Sequence, residues 1–201
     1  MSEIKVDKIS PQSGTALQIG DASDVITIPA SATITNLGTA TGFGGGKLLD
    51  ITSVTKTDVF TDNSGAWVDI PDLTRTVTNA AIGERFLIRA VISSTPASIS
   101  YANYFRLIID GTNVGMGDAG GSNRWRVNAG TMCGISTGAN ETNSTVIEYL
   151  YTTVGVSGHV IKIQGAVVGG SFQINRTVGD SSDAQQFVRS SSTLTVMRIS
   201  A

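Results

Sequence analysis

The stretch VGMGDAGGSNRWR, residues 114 to 126, places glycines at 115, 117 and 120. Gly-x-Gly-x-x-Gly is the spacing of a dinucleotide-binding turn. There a strand enters and a helix leaves, so that backbone N–H groups and the helix dipole meet a pyrophosphate. The entry fits, because YFRLIIDG reads as a strand. The exit does not: SNRWRVNAGTMCGIS alternates polar and apolar residues, then turns to glycines, with no apolar positions at helical spacing. With 23 glycines in 201 residues, composition alone supplies such a match. The glycines are read as a flexible turn between two strands.

Other reactive residue types are sparse. Cys133 is the only cysteine, which excludes an intrachain disulfide and a cysteine-cluster metal site. Without an activating base it reads as a small buried residue. His159, the only histidine, opens the alternating run HVIKIQ as an ordinary strand residue. Glycoside hydrolysis calls for two carboxylates about 5 to 9 Å apart. Asp180 and Asp183 in GDSSDAQQ, and Asp58 and Asp62 in TDVFTDNSG, are the candidate pairs. Both sit where Asp supports turns by bonding nearby backbone, and neither follows the alternating carboxylate pattern of a hard-cation loop. No catalytic residue, metal or cofactor is assigned.

The elements that must position any site are strands. Helical periodicity with caps is missing, and NAAIGERFLIRAVI, the best helical rival, is broken by Gly83 and crowded with β-branched residues. From Lys47 onward short β-rich runs recur between turn residues: KLLDITSV, AWVDI, TRTVT, RFLIRAVI, NYFRLIID, RWRVN, STVIEYLYT, HVIKIQGAVV, SFQIN and STLTVMRIS. In NYFRLIID, Phe105, Leu107 and Ile109 share one face; in NRWRVN, Trp125 and Val127 point one way and Arg124 and Arg126 the other. Alternation of this kind buries one face of an antiparallel sheet and wets the other. The expected fold is all-β, with residues 47–201 forming an antiparallel β-sandwich head of jelly-roll type.

Residues 1–46 follow a different pattern. ALQIG, DVITIP and ATITNLG are very short strands, with Leu17 and Ile26, and Ile19 and Ile28, each nine positions apart, and Ile26 and Ile34 eight apart. So few apolar residues do not offset the entropy of ordering the segment alone. Three copies side by side would turn Leu17, Ile19, Ile26, Ile28 and Ile34 toward a common axis and remove the exposed strand edges. Disorder is the competing reading. TGFGGG, residues 41 to 46, reads as a flexible joint.

Composition excludes several classes of partner. Charged residues are 15% of the chain and the net charge is −2, with five lysines and nine arginines scattered, which argues against nucleic acid and anionic membranes. MSEIKVDKIS is not a secretory signal, and no apolar run reaches the length of a membrane span. The Asn-x-Ser/Thr triplets at Asn140, Asn143 and Asn175 are read as accidents of composition.

The segment IKVDKISPQSGTALQIGDASDVITIPASATITNLGTATGFG resembles the stalk repeats of tail-fibre and virion-spike proteins of tailed bacteriophages. YFRLIIDGTNVGMGDAG, FQINRT and SSSTLTVMRIS resemble the heads attached to such stalks. The resemblance implies a homotrimeric virion protein; the turn roles of the candidate carboxylates make the expected activity binding rather than catalysis. Its head would be similar to the trimeric tumour-necrosis-factor and complement-type jelly rolls. Its N-terminal segment would join other virion proteins of the tail or capsid, and its head would bind a host-surface polysaccharide or protein. A capsid decoration or head-fibre protein is the alternative, and a short polysaccharide depolymerase a more distant one.

For a sugar receptor, exposed loops should offer an aromatic face for the ring and Asp, Asn or Arg for its hydroxyls. ISYANY offers Tyr101, Asn103 and Tyr104; DGTNVGMGDAGGSNRW offers Asp110, Asn113, Asp118, Asn123 and Arg124. Trp67 and Trp125 are read as core or subunit-interface residues.

Overall fold

The computed structural model describes residues 47–97, 101–121, 123–131, 142–180, 185 and 187–201, with positions 9–10, 13–14, 18–19, 21, 23, 25, 27 and 31 of the first 46. The chain separates into two compact units, Met1–Phe43 and Gly44–Ala201. In the first unit Ile19 is 63% exposed. Leu17, Ile26, Ile28 and Ile34 lie outside the described residues.

The second unit is all-β, and its described residues include no helix. The strands are β1 (Leu48–Lys56), β2 (Phe60–Asp62), β3 (Val68–Ala80), β4 (Arg85–Pro96), β5 (Asn103–Ile109) and β6 (Thr112–Val114). They continue with β7 (Ala129–Gly130), β8 (Asn143–Thr152), β9 (Ser157–Val167), β10 (Phe172–Ile174) and β11 (Ser192–Ile199). One sheet has β8 on one edge of the long strand β4, and β11 followed by β10 along its other edge. β1 then pairs β11 and β2 pairs β10. The other sheet runs β3-β9-β5-β6, with β7 beside β5, and every pairing is antiparallel. The long strands cross from sheet to sheet at successive connections, which is the path of a jelly roll.

Alternation drives the packing. Phe86, Ile88 and Ile92 of β4, Ile147 of β8 and Leu194 and Val196 of β11 are buried in one layer. Phe105, Leu107 and Ile109 of β5 and Ile161 and Ile163 of β9 form the facing layer. Gly165 makes room for the ring of Phe172: a Cβ there would stand 3.0 Å from its Cζ.

AWVDI and TRTVT, expected as two strands, are parts of one strand, β3. Its buried residues are Ile70, Leu73, Val77 and Ala80, spacings of three, four and three. An unbroken strand cannot bury residues at odd spacing on one face, and the register with β9 shifts twice, between Asp69 and Thr74 and between Val77 and Ala80. Asp72 and Asn79 sit at these irregularities with φ of 65° and 53°. Bulges using left-handed residues thus return each apolar side chain to the core.

RWRVN, also expected as a strand, is irregular apart from the short β7 that follows it. The carboxamide of Asn128 stands in for strand pairing. Leu107 N–H donates to its Oδ1 at 2.8 Å, and its Nδ2 donates to the Val114 carbonyl at 2.8 Å.

A buried polar knot marks the point where β10 gives way to β11 beside β4. Asn175, wholly buried and left-handed with φ of 64°, donates from Nδ2 to the carbonyls of Lys56 and Asp58. Its Oδ1 accepts from Ser192 Oγ, which in turn accepts from Ser93 N–H. Lys56 buries its whole side chain and pairs with Asp58 at 2.8 Å and Asp72 at 3.4 Å. The Asn175-Arg176-Thr177 triplet therefore has its asparagine spent inside the fold.

Candidate saccharide-binding site

The register across β3, β9 and β5 builds a platform on the outer face of its sheet. Asp69 lies beside Gln164, and Gln164 beside Arg106. Arg106 Nε donates to Gln164 Oε1 at 2.8 Å, Gln164 Nε2 donates to Asp69 Oδ1 at 2.6 Å, and Lys162 Nζ reaches Asp69 Oδ2 at 2.7 Å. Partial burial pushes the Asp69 carboxyl upward, but the Lys162 and Gln164 donors outweigh it and hold the group below its ordinary value. Burial draws the Arg106 guanidinium below its usual range, and Asp69 opposes the shift.

Aromatic rings lie over this polar chain. The Arg106 guanidinium sits 4.3 Å from the ring centre of Trp67, a cation–π contact. Trp67 packs against Trp125 at 5.2 Å, and Tyr104 meets Trp125 edge to face at 5.8 Å. Trp125 remains 39% exposed. Neither tryptophan belongs to the core between the sheets, so of the core-or-interface reading the core half does not hold. With Asn123, Arg124 and Val168, Tyr104 and Trp125 line an open pocket of about 320 Å³. That is the small end of ligand-pocket size.

The eight residues chosen from sequence divide into distinct places. Tyr104, Asn123 and Arg124 meet at this pocket. Tyr101 is half-buried against the core, its ring beside Gly169 and Gly170, where Cβ atoms would stand 2.7 and 3.0 Å away. Asn103 is completely buried, so it offers nothing to a surface ligand; its N–H donates to Thr131 Oγ1. Asp110 follows the end of β5, six residues from Tyr104 and about 20 Å away at the strand repeat. It opens a two-residue hairpin, with φ of 51° at Asp110 and 78° at Gly111, and Ile109 paired to Thr112. Its carboxylate accepts from Val160 N–H and lies 2.6 Å from His159 Nδ1. Asn113 is exposed on β6 opposite Ile108. Asp118 is exposed, accepting from Ala119 N–H at 2.7 Å.

The glycines of the opening motif have particular positions. Gly115 has φ of 62°, and a Cβ there would stand 2.7 Å from the Tyr149 ring. Gly117 N–H donates to the Val127 carbonyl, whose neighbour Arg126 donates from Nε back to Gly117 O at 2.8 Å. A Cβ on Gly120 would come within 3.1 Å of Arg124 Cδ and 3.2 Å of its Nη1. The third glycine is the seat of an arginine. The hairpin turn proper is Asp110-Gly111, and the glycine-rich stretch is the longer loop from β6 to β7.

The candidate carboxylates have other work. Asp62 accepts from Ser64 N–H and Oγ in a local turn, and Asp58 holds Lys56. Asp180 bridges Arg176 at 3.2 Å and Arg189 at 2.8 Å. Asp183 and Cys133 lie outside the described residues. Among the described residues no three His, Cys, Asp or Glu side chains cluster as a metal site. His159 is buried against Phe86 and Tyr151.

Compared with known proteins, the chain matches no family model, and no curated protein matches it.

Proposed function

We propose that this protein is a structural component of a tailed-bacteriophage virion, a homotrimeric fibre or spike whose sandwich head binds a host-surface saccharide in the Tyr104–Trp125 pocket. The resemblance of residues 4–44 to phage stalk repeats supports the virion assignment. The observation that carries the binding role is Trp125, more than a third exposed although braced by Trp67 and Tyr104. A large ring held rigidly yet left wet is the feature on which a pyranose stacks, and Asn123 and Arg124 stand beside it to meet hydroxyls. The head supplies binding rather than chemistry, and repeated weak contacts from three heads would raise avidity.

The test is binding of the full-length protein to a panel of purified bacterial capsular and lipopolysaccharide O-chain polysaccharides. Wild type should bind at least one of them. Trp125→Ala should weaken that binding about tenfold or more, as loss of a stacking ring does elsewhere. Its thermal midpoint should stay close to that of wild type. Undiminished binding by Trp125→Ala would remove the pocket from the proposal. Failure to bind any polysaccharide would remove saccharide adhesion.

A further inference from the structure

We infer, resting on the saccharide reading of this pocket, that the sugar it takes is acidic, carrying a carboxylate such as that of a uronic acid. Three cationic side chains belong to the platform and pocket, Arg106, Lys162 and Arg124, against one carboxylate, Asp69, while Arg126 and Asp118 bond only to backbone of the neighbouring loop. The excess is positive on a chain whose net charge is −2. Asp69 is already occupied by Lys162 and Gln164. Asp118 turns back on its own backbone at Ala119.

Arg124 is different from the arginines that serve the fold. Arg176 and Arg189 share Asp180, and Arg198 pairs with Glu84 at 2.8 Å. Arg124 has no carboxylate partner among the described residues, yet it lines the pocket next to the exposed face of Trp125. Its side chain lies over Gly120, a position that a methyl group would contest. A guanidinium presents a planar fork of donors that fits a carboxylate in two parallel hydrogen bonds. An aromatic ring for the sugar face and an uncompensated fork at its edge together select a ring with an anionic substituent. A neutral sugar would leave the fork bonded only to water.

The experiment is native affinity electrophoresis of the full-length protein in gels containing polygalacturonate, its methyl-esterified form or no polysaccharide. Esterification keeps the backbone and removes the charge. Wild type should be retarded by polygalacturonate with an affinity about tenfold or more above that for the ester, the scale of one charge-assisted contact. Arg124→Gln should make the two forms equivalent, each measured against the blank gel. Gly120→Ala, which keeps the charge but crowds Arg124 Cδ, should reduce the preference without altering mobility in the blank gel.

Equal retardation by both forms, or a preference unchanged in Arg124→Gln, overturns the acidic specificity while leaving the platform intact if Trp125→Ala abolishes retardation. Absence of retardation by polygalacturonate also overturns it. The wider saccharide reading stands or falls separately on the polysaccharide panel above.

Discussion

Asn175 offers a quantitative test of what joins β10 to β11. Its carboxamide makes three hydrogen bonds with no access to water, two donated to the Lys56 and Asp58 carbonyls and one accepted from Ser192 Oγ. Removing the group in Asn175→Ala takes away all three bonds, two of them in the fully buried interior at Lys56 and Ser192. At about 1 kcal/mol for each hydrogen bond removed, the loss is about 3 kcal/mol. At φ of 64°, a left-handed conformation that asparagine enters more readily than alanine, the alanine variant carries about 1 kcal/mol more strain. Asn175→Gly loses the same three bonds but escapes that strain. Expected destabilisation is therefore about 4 kcal/mol for alanine and about 3 for glycine. In urea, with a slope of about 2 kcal/mol per molar, the midpoints should fall by about 2 M and 1.5 M. Equilibrium unfolding of the full-length variants, followed by tryptophan fluorescence, measures both. A loss below about 1 kcal/mol in either variant would refute the hydrogen-bond reasoning. Glycine equal to or worse than alanine would refute the backbone argument.

Gly115→Ala should destabilise the protein by about 1 to 3 kcal/mol in the same assay, because its methyl must displace the Tyr149 ring from 2.7 Å at a left-handed position. Stability should also fall in acid. The Lys56 ammonium hydrogen-bonded to Asp58, and the Arg189 guanidinium bonded to Asp180, hold both carboxyls below the ordinary 3.8. Their contribution is complete above 3.8, where the unfolded chain is ionised too, and is lost as pH drops through the depressed folded values. Asp180→Asn should flatten that acid limb in chemical unfolding measured between about pH 5 and pH 2, and an unchanged slope would contradict the Asp180–Arg189 pairing.

The parts of the fold legible in the sequence are those where alternation runs unbroken. Phe105, Leu107 and Ile109 were assignable to one buried face because β5 keeps its pairing along its whole length. The pattern reads β3 as two strands because its bulges at Asp72 and Asn79 break the period, and a single sequence does not reveal which Asp or Asn takes a positive φ. RWRVN reads as a strand by alternation alone, but Asn128 takes the role of a pairing partner with a side chain. Freed from a ladder, Trp125 turns toward Trp67 and Tyr104.

The pocket was only partly legible for a related reason. Residue type points to Tyr104, Asn123 and Arg124 but not to Trp125, Trp67, Val168 or the Arg106–Gln164–Asp69 chain. These residues come from separate segments, and only the register of β3, β9 and β5 shows that they meet. One available signal was missed. Asp110-Gly111 between apolar runs is a strong two-residue hairpin signature, and it separates Asp110 from the pocket.

The segment between β10 and β11 leaves and rejoins the sheet at nearly the same point. Arg176 pairs with Arg189, Ser190 N–H returns to the Asn175 carbonyl, and Asp180 ties both arginines together. The neck is closed by its own bonds, so the ends of the segment are held together whatever its length. Doubling such a loop costs only about 0.6 kcal/mol in closure entropy. The neck is therefore a clasp: with Arg176, Asp180, Arg189 and Ser190 bonded to one another and to Asn175, β10 and β11 are handed to β4 in fixed register.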